Sequence, residues 1–167
     1  MVEQQSSTGY VFDLTSTPVP TIPTPSLMEI WNWQGDTSIL PFKFESILNS
    51  CSTEHEKYDH STLKKTYIDD KAFDPMGFYF LTSRSSAIGL CFVLPTSTAS
   101  EYRIVFCACV PKHRHNQVEE CLLSLVLGFC KGKGATRVVV DAPPEDLAGA
   151  YADGVYHALE TVGFSKK

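Results

Sequence analysis

Apolar residues recur along this chain with two different periods, and the switches between them divide it into elements. "GYVFDLTST" (9–17) carries β-branched and aromatic residues in partial alternation and reads as a first strand, after a polar, loose start over residues 1–8. "PVPTIPTP" holds four prolines in eight residues, which excludes regular structure and predicts an extended connector. In "SLMEIWNW" the residues Leu27, Ile30 and Trp31 fall at helical spacing, predicting a short helix that opens at Pro25-Ser26. "PFKFESILNSC" (41–51) and "DHSTLKKTYIDD" (59–70) are two further helices, the second with Asp59 or Ser61 as its N-cap. The charged linker "STEHEKY" joins them on the surface.

The second half alternates more strongly. "GFYFLTS" (77–83) and "SAIGLCFVLPT" (86–96) flank a short polar turn and form a hairpin, and "EYRIVFCACV" (101–110) continues the meander. From Gln117 or Val118 to Lys131 the apolar positions Val118, Cys121, Leu122, Leu125, Val126 and Phe129 recur in steps of three and four, an amphipathic helix stopped by Gly132 and Gly134. "ATRVVVDA" (135–142) is a short buried strand, and "EDLAGAYADGVYHALETVGF" (145–164) a final helix after Pro143-Pro144. The strand–helix–strand unit is long enough for a right-handed crossover, so part of the sheet is parallel. The fold class is α/β, a mixed antiparallel/parallel sheet flanked by helices. Residues 1–25 form an N-terminal strand with a Pro-rich extension, and residues 26–167 the main domain.

Composition narrows the function. At 167 residues and 43 % hydrophobic, the chain can build one core. A net charge of −5 carries no direct nucleic-acid signal, although a local basic patch can still serve a phosphate. Of the six cysteines none forms a CxxC pair and several lie in apolar runs, which predicts buried, reduced thiols. Cys107 and Cys109 share a strand face, but with His113 and His115 as the nearest further ligands they match no common zinc spacing, so no metal is expected. The first residues lack a charged start followed by an apolar core, and no stretch approaches a membrane span; an intracellular protein, cytoplasmic or nuclear, is expected.

The chemistry concentrates in "VPKHRHNQVEECLL", where a strand runs through a basic turn into a helix. A helix N-terminus offers N–H donors and the positive end of a dipole to an anion. Lys112, His113, Arg114 and His115 add charge, each aligned contact being worth about 1.5–3 kcal/mol. Gln117 and Glu119 oppose them. Gln117 brings a Cβ to a turn that can need φ > 0, at about 1 kcal/mol or more. A Glu119 carboxylate a few ångströms from a pyrophosphate costs on the order of 1–4 kcal/mol.

Three stretches resemble the GCN5-related N-acetyltransferases (GNAT), a family that passes an acetyl group from acetyl-CoA to an amine. "IDDKAFDPMGFYFLTSRSSAIGLCFV" is similar to the hairpin before the cofactor strand, especially in mycothiol-synthase-like members. "YRIVFCACVPKHRHNQVEECLL" resembles the strand–turn–helix cofactor motif, its "IVFCA" also resembling the histone-acetyltransferase branch. "DAPPEDLAGAYADGVYHALETVGF" is similar to the last strand and helix with the closing Gly-Phe. The resemblance implies a GNAT-like sheet. It also implies an acetyl-CoA site built from Cys109, Val110, Lys112, His113, Arg114, His115, Asn116, Gln117, Val118 and Glu119. Arg114 matches the family's first loop position, while Gln117 and Glu119 stand where the family has small residues.

Acetyl transfer needs a base for the acceptor ammonium and a proton donor for the leaving thiolate. Arg103 occupies the position of the family's strand Glu, and Arg is no base, which leaves Glu101 acting through water. Leu159 occupies the position of the family's Tyr, which leaves Tyr156, with Tyr151 and His157 nearby, as the donor. Family members commonly continue past Gly-Phe into further strands. Here the sheet is expected to be shorter, or its edge to be covered by the N-terminal extension or a protein partner. Two functions follow: an N-acetyltransferase acting on an amine acceptor, or a catalytically inactive GNAT-fold module that binds other proteins.

Overall fold

The computed structural model describes residues 9–32 and 38–167. The polar start over residues 1–8 and Trp33 therefore lie outside the described residues. Seven strands form one sheet in the order β2-β3-β4-β5-β6-β1-β7. They are β1 (Tyr10–Asp13), β2 (Met28–Asn32), β3 (Phe78–Ser83), β4 (Ser86–Pro95), β5 (Glu101–Cys109), β6 (Arg137–Val140) and β7 (Ser165–Lys166). Among the described residues only the β5–β6 pair is parallel, and the 15-residue helix α3 (Val118–Gly132) makes its crossover. The mixed α/β class read from the sequence is the one observed.

Strand alternation assigns the two faces of the sheet. On one face Phe78, Phe92 and Phe106 meet Phe44 of helix α1 (Leu40–Cys51), with ring centroids 5.4–5.7 Å apart. Tyr67 joins them from the π-helical turn Lys64–Ile68 that follows the short helix α2 (His60–Leu63), whose N-cap is Asp59. The opposite face carries Gly89, Cys91, Cys107 and Cys109 under α3. A Cβ on Gly89 would stand 2.7 Å from Val118 Cγ1, so the helix rests directly on the strand there. The final helical region is segmented: α4 (Ala148–Ala150), a π turn (Tyr151–Val155) and α5 (Tyr156–Val162). α5 packs against α3.

Two elements need comment. The helix expected over 26–33 is instead the outer strand β2 where it is described, paired with β3 from Met28↔Ser83 to Asn32↔Tyr79. Leu27 is 88 % exposed and Trp31 54 %, so the helical spacing of these residues faces no core. Strand β1, in turn, lies between β6 and β7 and pairs with both in antiparallel fashion. The N-terminal strand thus covers the edge of β6, one of the alternatives open from the sequence.

Candidate functional site

The site forms where β5 parts from β6. Their pairing runs only from Glu101↔Arg137 to Ile104↔Val140, leaving Val105 to Cys109 without a strand on that side. Val110 donates its N–H to Ile88 O of β4. Alternation along an extended chain then turns the polar groups of Cys109 and Cys107 to the edge that β6 leaves free. A splayed edge of this kind can bind an extended amide ligand through its backbone.

Here two groups of that edge, the Cys107 N–H and the Cys109 carbonyl, are bonded from within the chain. The Cys107 N–H donates to the Tyr151 hydroxyl at 3.2 Å. Cys109 C=O accepts from Arg114 Nε at 3.1 Å and from the Cys51 thiol at 3.3 Å. Tyr151 is 3 % exposed, and burial pushes its phenol far above the ordinary range, so it stays a neutral hydroxyl. Arg114 is held in turn by Asp153, Nη1 to Oδ2 3.3 Å, and His115 meets the other oxygen of Asp153 at 3.4 Å.

The turn before α3 is built from unusual backbone. His115 (φ 67°) and Gln117 (φ 62°) are both left-handed, each at about 1–2 kcal/mol for a residue with a Cβ. The sequence pointed to φ > 0 at 117, while His115 carried no such signal. Lys112 and His113 lie in the 3₁₀ turn Pro111–His113, and Lys112, His115, Asn116 and Gln117 face solvent.

Glu119 departs furthest from its expected surroundings. It turns away from solvent and is 2 % exposed, its Oε1 packed close against Gly154: a Cβ there would stand 2.5 Å from it and push the carboxylate aside. Burial raises its pKa, and the charge of Glu120 adds to this against its own backbone N–H, Arg114 and His115. Val118 beside it is fully buried against the sheet.

Two cavities flank this closure. One, about 170 Å³, lies at the fork between β5 and the segment after β6, lined by Tyr67, Arg103, Phe106, Asp141, Pro144 and Tyr151 among others. The other, about 350 Å³, lies at the N-terminus of α3 between Glu119, Glu120, Asp153, His157 and Ile22 of the proline-rich connector.

The two residues expected to carry catalysis lie at different places. Tyr156 stacks on Tyr10 at 5.6 Å and meets Tyr151 edge-on at 5.9 Å, next to the closed edge. Glu101 stands at the start of β5, about 20 Å along the strand from Cys107 at ~3.3 Å per residue. It is engaged by Arg137 at 3.2 Å and the Thr96 hydroxyl at 2.9 Å. Two features of the region were missed in the sequence. Tyr151 had drawn notice only as a neighbour of Tyr156. The buried Asp146, which accepts from Ser52, Tyr58 and Lys57 and so ties the segment after α1 to the segment after β6, had drawn none. Burial and the three donors act oppositely on its carboxyl, and the donors hold it below the usual range. Thiol chemistry finds no support in the geometry: all six cysteines are buried and unbridged, and burial pushes Cys130 up to about 12.

No family model matches the sequence, and no curated protein matches it; the likeness is one of structure. A GCN5-related N-acetyltransferase from Sphaerobacter thermophilus superposes with a TM-score of 0.70 at 14 % identity, covering 96 % of this chain and 48 % of its own. The chain thus spans about half the length of that protein. AAC(6')-Iy, solved with a CoA-linked bisubstrate analogue, gives 0.61 at 14 % identity over 84 % of this chain and 92 % of its own. Ard1 from Thermoplasma volcanium gives 0.59 at 19 % identity over 83 % of each. The splayed β5–β6 pair, the α3 crossover and these superpositions together establish that the chain has the fold of the GCN5-related N-acetyltransferases.

Proposed function

We propose that this chain is a GNAT-fold binding module that does not use acetyl-CoA, its cofactor groove being closed by its own side chains. The observation that carries this reading is the internal bonding of the β5 edge: Tyr151 takes the Cys107 N–H and Arg114 takes the Cys109 carbonyl. A pantetheine arm would have to displace both. A pyrophosphate at the α3 N-terminus would meet the carboxylates of Glu119 and Glu120 rather than bare N–H groups. Lys112 and His113 cannot offset this without rebuilding a turn that already holds two left-handed residues.

The fork cavity favours a second reading, an acetyl-CoA-dependent N-acetyltransferase acting on an amine, with Tyr156 near the reacting end. That reading requires Tyr151 and Arg114 to leave the β5 edge when cofactor enters. Calorimetry with acetyl-CoA, paired with a turnover assay on small amines and peptide N-termini, separates the two. The closed-groove reading expects no saturable heat at millimolar cofactor and no product; turnover that is lost in Tyr156→Phe would refute it.

A further inference from the structure

The cavity of about 170 Å³ at the fork between β5 and the segment after β6 collects hydrogen-bond donors that the chain leaves unused. Tyr151 is 3 % exposed; its oxygen accepts the Cys107 N–H at 3.2 Å, and its own O–H has no acceptor among the described residues. The Tyr67 hydroxyl, brought to the same cavity by the π-helical turn after α2, makes no hydrogen bond among the described residues either. Arg103 is the third donor. It reaches Asp141 Oδ2 at 3.9 Å, too long for a hydrogen bond, while the other oxygen of Asp141 meets Lys167 at 3.5 Å. Burial raises the Tyr67 phenol, and the nearby Arg103 charge pulls it back, so these two side chains sense each other across the cavity. A buried donor without an acceptor is costly, and three donors around one cavity call for an acceptor that the chain does not supply.

Charge and size narrow the nature of that acceptor. Arg103 and Lys167 share the single carboxylate of Asp141, and Glu101, two residues before Arg103, is engaged by Arg137 at 3.2 Å, which leaves the cavity a surplus of positive charge. A carboxylate offers about four lone-pair sites in one plane, enough for a guanidinium and two hydroxyls. Phe106, Pro143 and Pro144 make the remaining wall apolar. The volume is below the roughly 300–1,000 Å³ of most ligand pockets and close to the ~150 Å³ that holds a benzene ring, so the hydrocarbon part is limited to a few carbons.

We propose that the fork cavity binds a short-chain carboxylate, its two oxygens on Arg103, Tyr67 and Tyr151 and its hydrocarbon against Phe106 and Pro144. The site rests on the closed-groove reading, since it needs Tyr151 to stay on the β5 edge, and it gives that binding module a small-molecule ligand.

The test is titration of the full chain with sodium butyrate, followed by NMR at the Cys107 amide, with butyramide, inorganic phosphate and coenzyme A as separate titrants at matched ionic strength. The expected result is a saturable butyrate shift with an affinity in the millimolar range, as suits a ligand of so few heavy atoms, and binding at least tenfold weaker for butyramide and for phosphate. Arg103→Met and Tyr67→Phe should each weaken butyrate tenfold or more. Both side chains are partly exposed, so these variants leave the Tyr151 bond to Cys107 and the core in place, which Tyr151→Phe would not. Absence of a saturable butyrate shift overturns the carboxylate site whatever coenzyme A does. So does butyramide or phosphate binding as tight as butyrate, or butyrate binding that either variant leaves unchanged. A saturable coenzyme A shift overturns the closed-groove reading whatever butyrate does.

Discussion

Strand β5 is two strands in one. From Glu101 to Ile104 its outer edge is bonded to β6, backbone to backbone; beyond Ile104 the Cys107 N–H on the same edge turns to Tyr151 and the Cys109 carbonyl to Arg114 and Cys51. The first half needs only a neighbouring strand of any sequence, since ladder bonds are blind to side chains. The second half depends on particular residues reaching a particular N–H or C=O. Divergence therefore bears differently on the two: the paired half preserves the fold, and the splayed half decides whether a ligand or the chain itself satisfies the backbone.

The largest expected effect comes from removing the plug. Tyr151→Ala deletes a buried aromatic and leaves the Cys107 N–H unsatisfied, and should cost about 3–5 kcal/mol in urea denaturation. Tyr151→Phe isolates the polar part and should cost about 1–3 kcal/mol. A loss below ~0.5 kcal/mol in Tyr151→Phe would mean that the N–H is satisfied without the phenol and that the two halves of β5 do not differ as described.

Arg114→Met comes next. It keeps much of the packing but frees the Cys109 carbonyl and unpairs Asp153. Because Asp153 is half exposed and can recover water, the expected cost is about 1–2 kcal/mol. The same substitution at Lys112, which is exposed in the same turn, should fall within about 0.5 kcal/mol of zero. Equal effects at the two positions would erase the distinction between the basic residue that closes the edge and the one that faces solvent.

Glu119 supplies a prediction in pH. Its native pKa is raised, so between the ordinary carboxylate range and the native value the folded state holds more protons than the unfolded chain. Stability must then fall as pH rises through that window and stay lower above it. Glu119→Gln should flatten this fall and leave the protein at least as stable at neutral pH, which melting at a series of pH values checks. A variant that is less stable than wild type at pH 7 would show that the Glu119 backbone N–H, Arg114 and His115 outweigh the cost of burying the carboxylate.

The smallest effect belongs to the strained turn. Gln117→Gly relieves a left-handed residue at φ 62° but adds flexibility to the unfolded chain, for a net gain of up to about 1 kcal/mol. Destabilisation would mean that the Gln117 side chain holds the turn in a way its exposure conceals.

The same two halves explain how much could be read in advance. Elements with a buried face announced themselves: α3 through Val118, Cys121, Leu122 and Val126, all fully buried, and the hairpin through its continuous apolar runs. Strand β2 did not, because its exposed side chains leave no burial pattern to detect, and five residues of "MEIWN" happen to match a helical period as well as a pleat. That β1 is a strand was legible, but its place between β6 and β7 was not, since the partner lies more than 120 residues away and pairing leaves no local mark. In the site, Gln117 and Glu119 stood out as intruders at small-residue positions. The sequence could not tell that Glu119 would turn inward, because the room for it is made by Gly154 on another element. Tyr151 was hidden for the same reason: its role exists only across the fold.

The central claim is that the Cys107 N–H and the Cys109 carbonyl on the splayed edge of β5 are already bonded within the chain, and amide hydrogen exchange at Cys107 tests it most directly. The account predicts that this N–H exchanges as slowly as the paired amides of β5, and that coenzyme A at about 1 mM leaves its rate unchanged. Fast exchange in the free protein that slows on adding coenzyme A would contradict it, because the edge would then be open and waiting for a ligand.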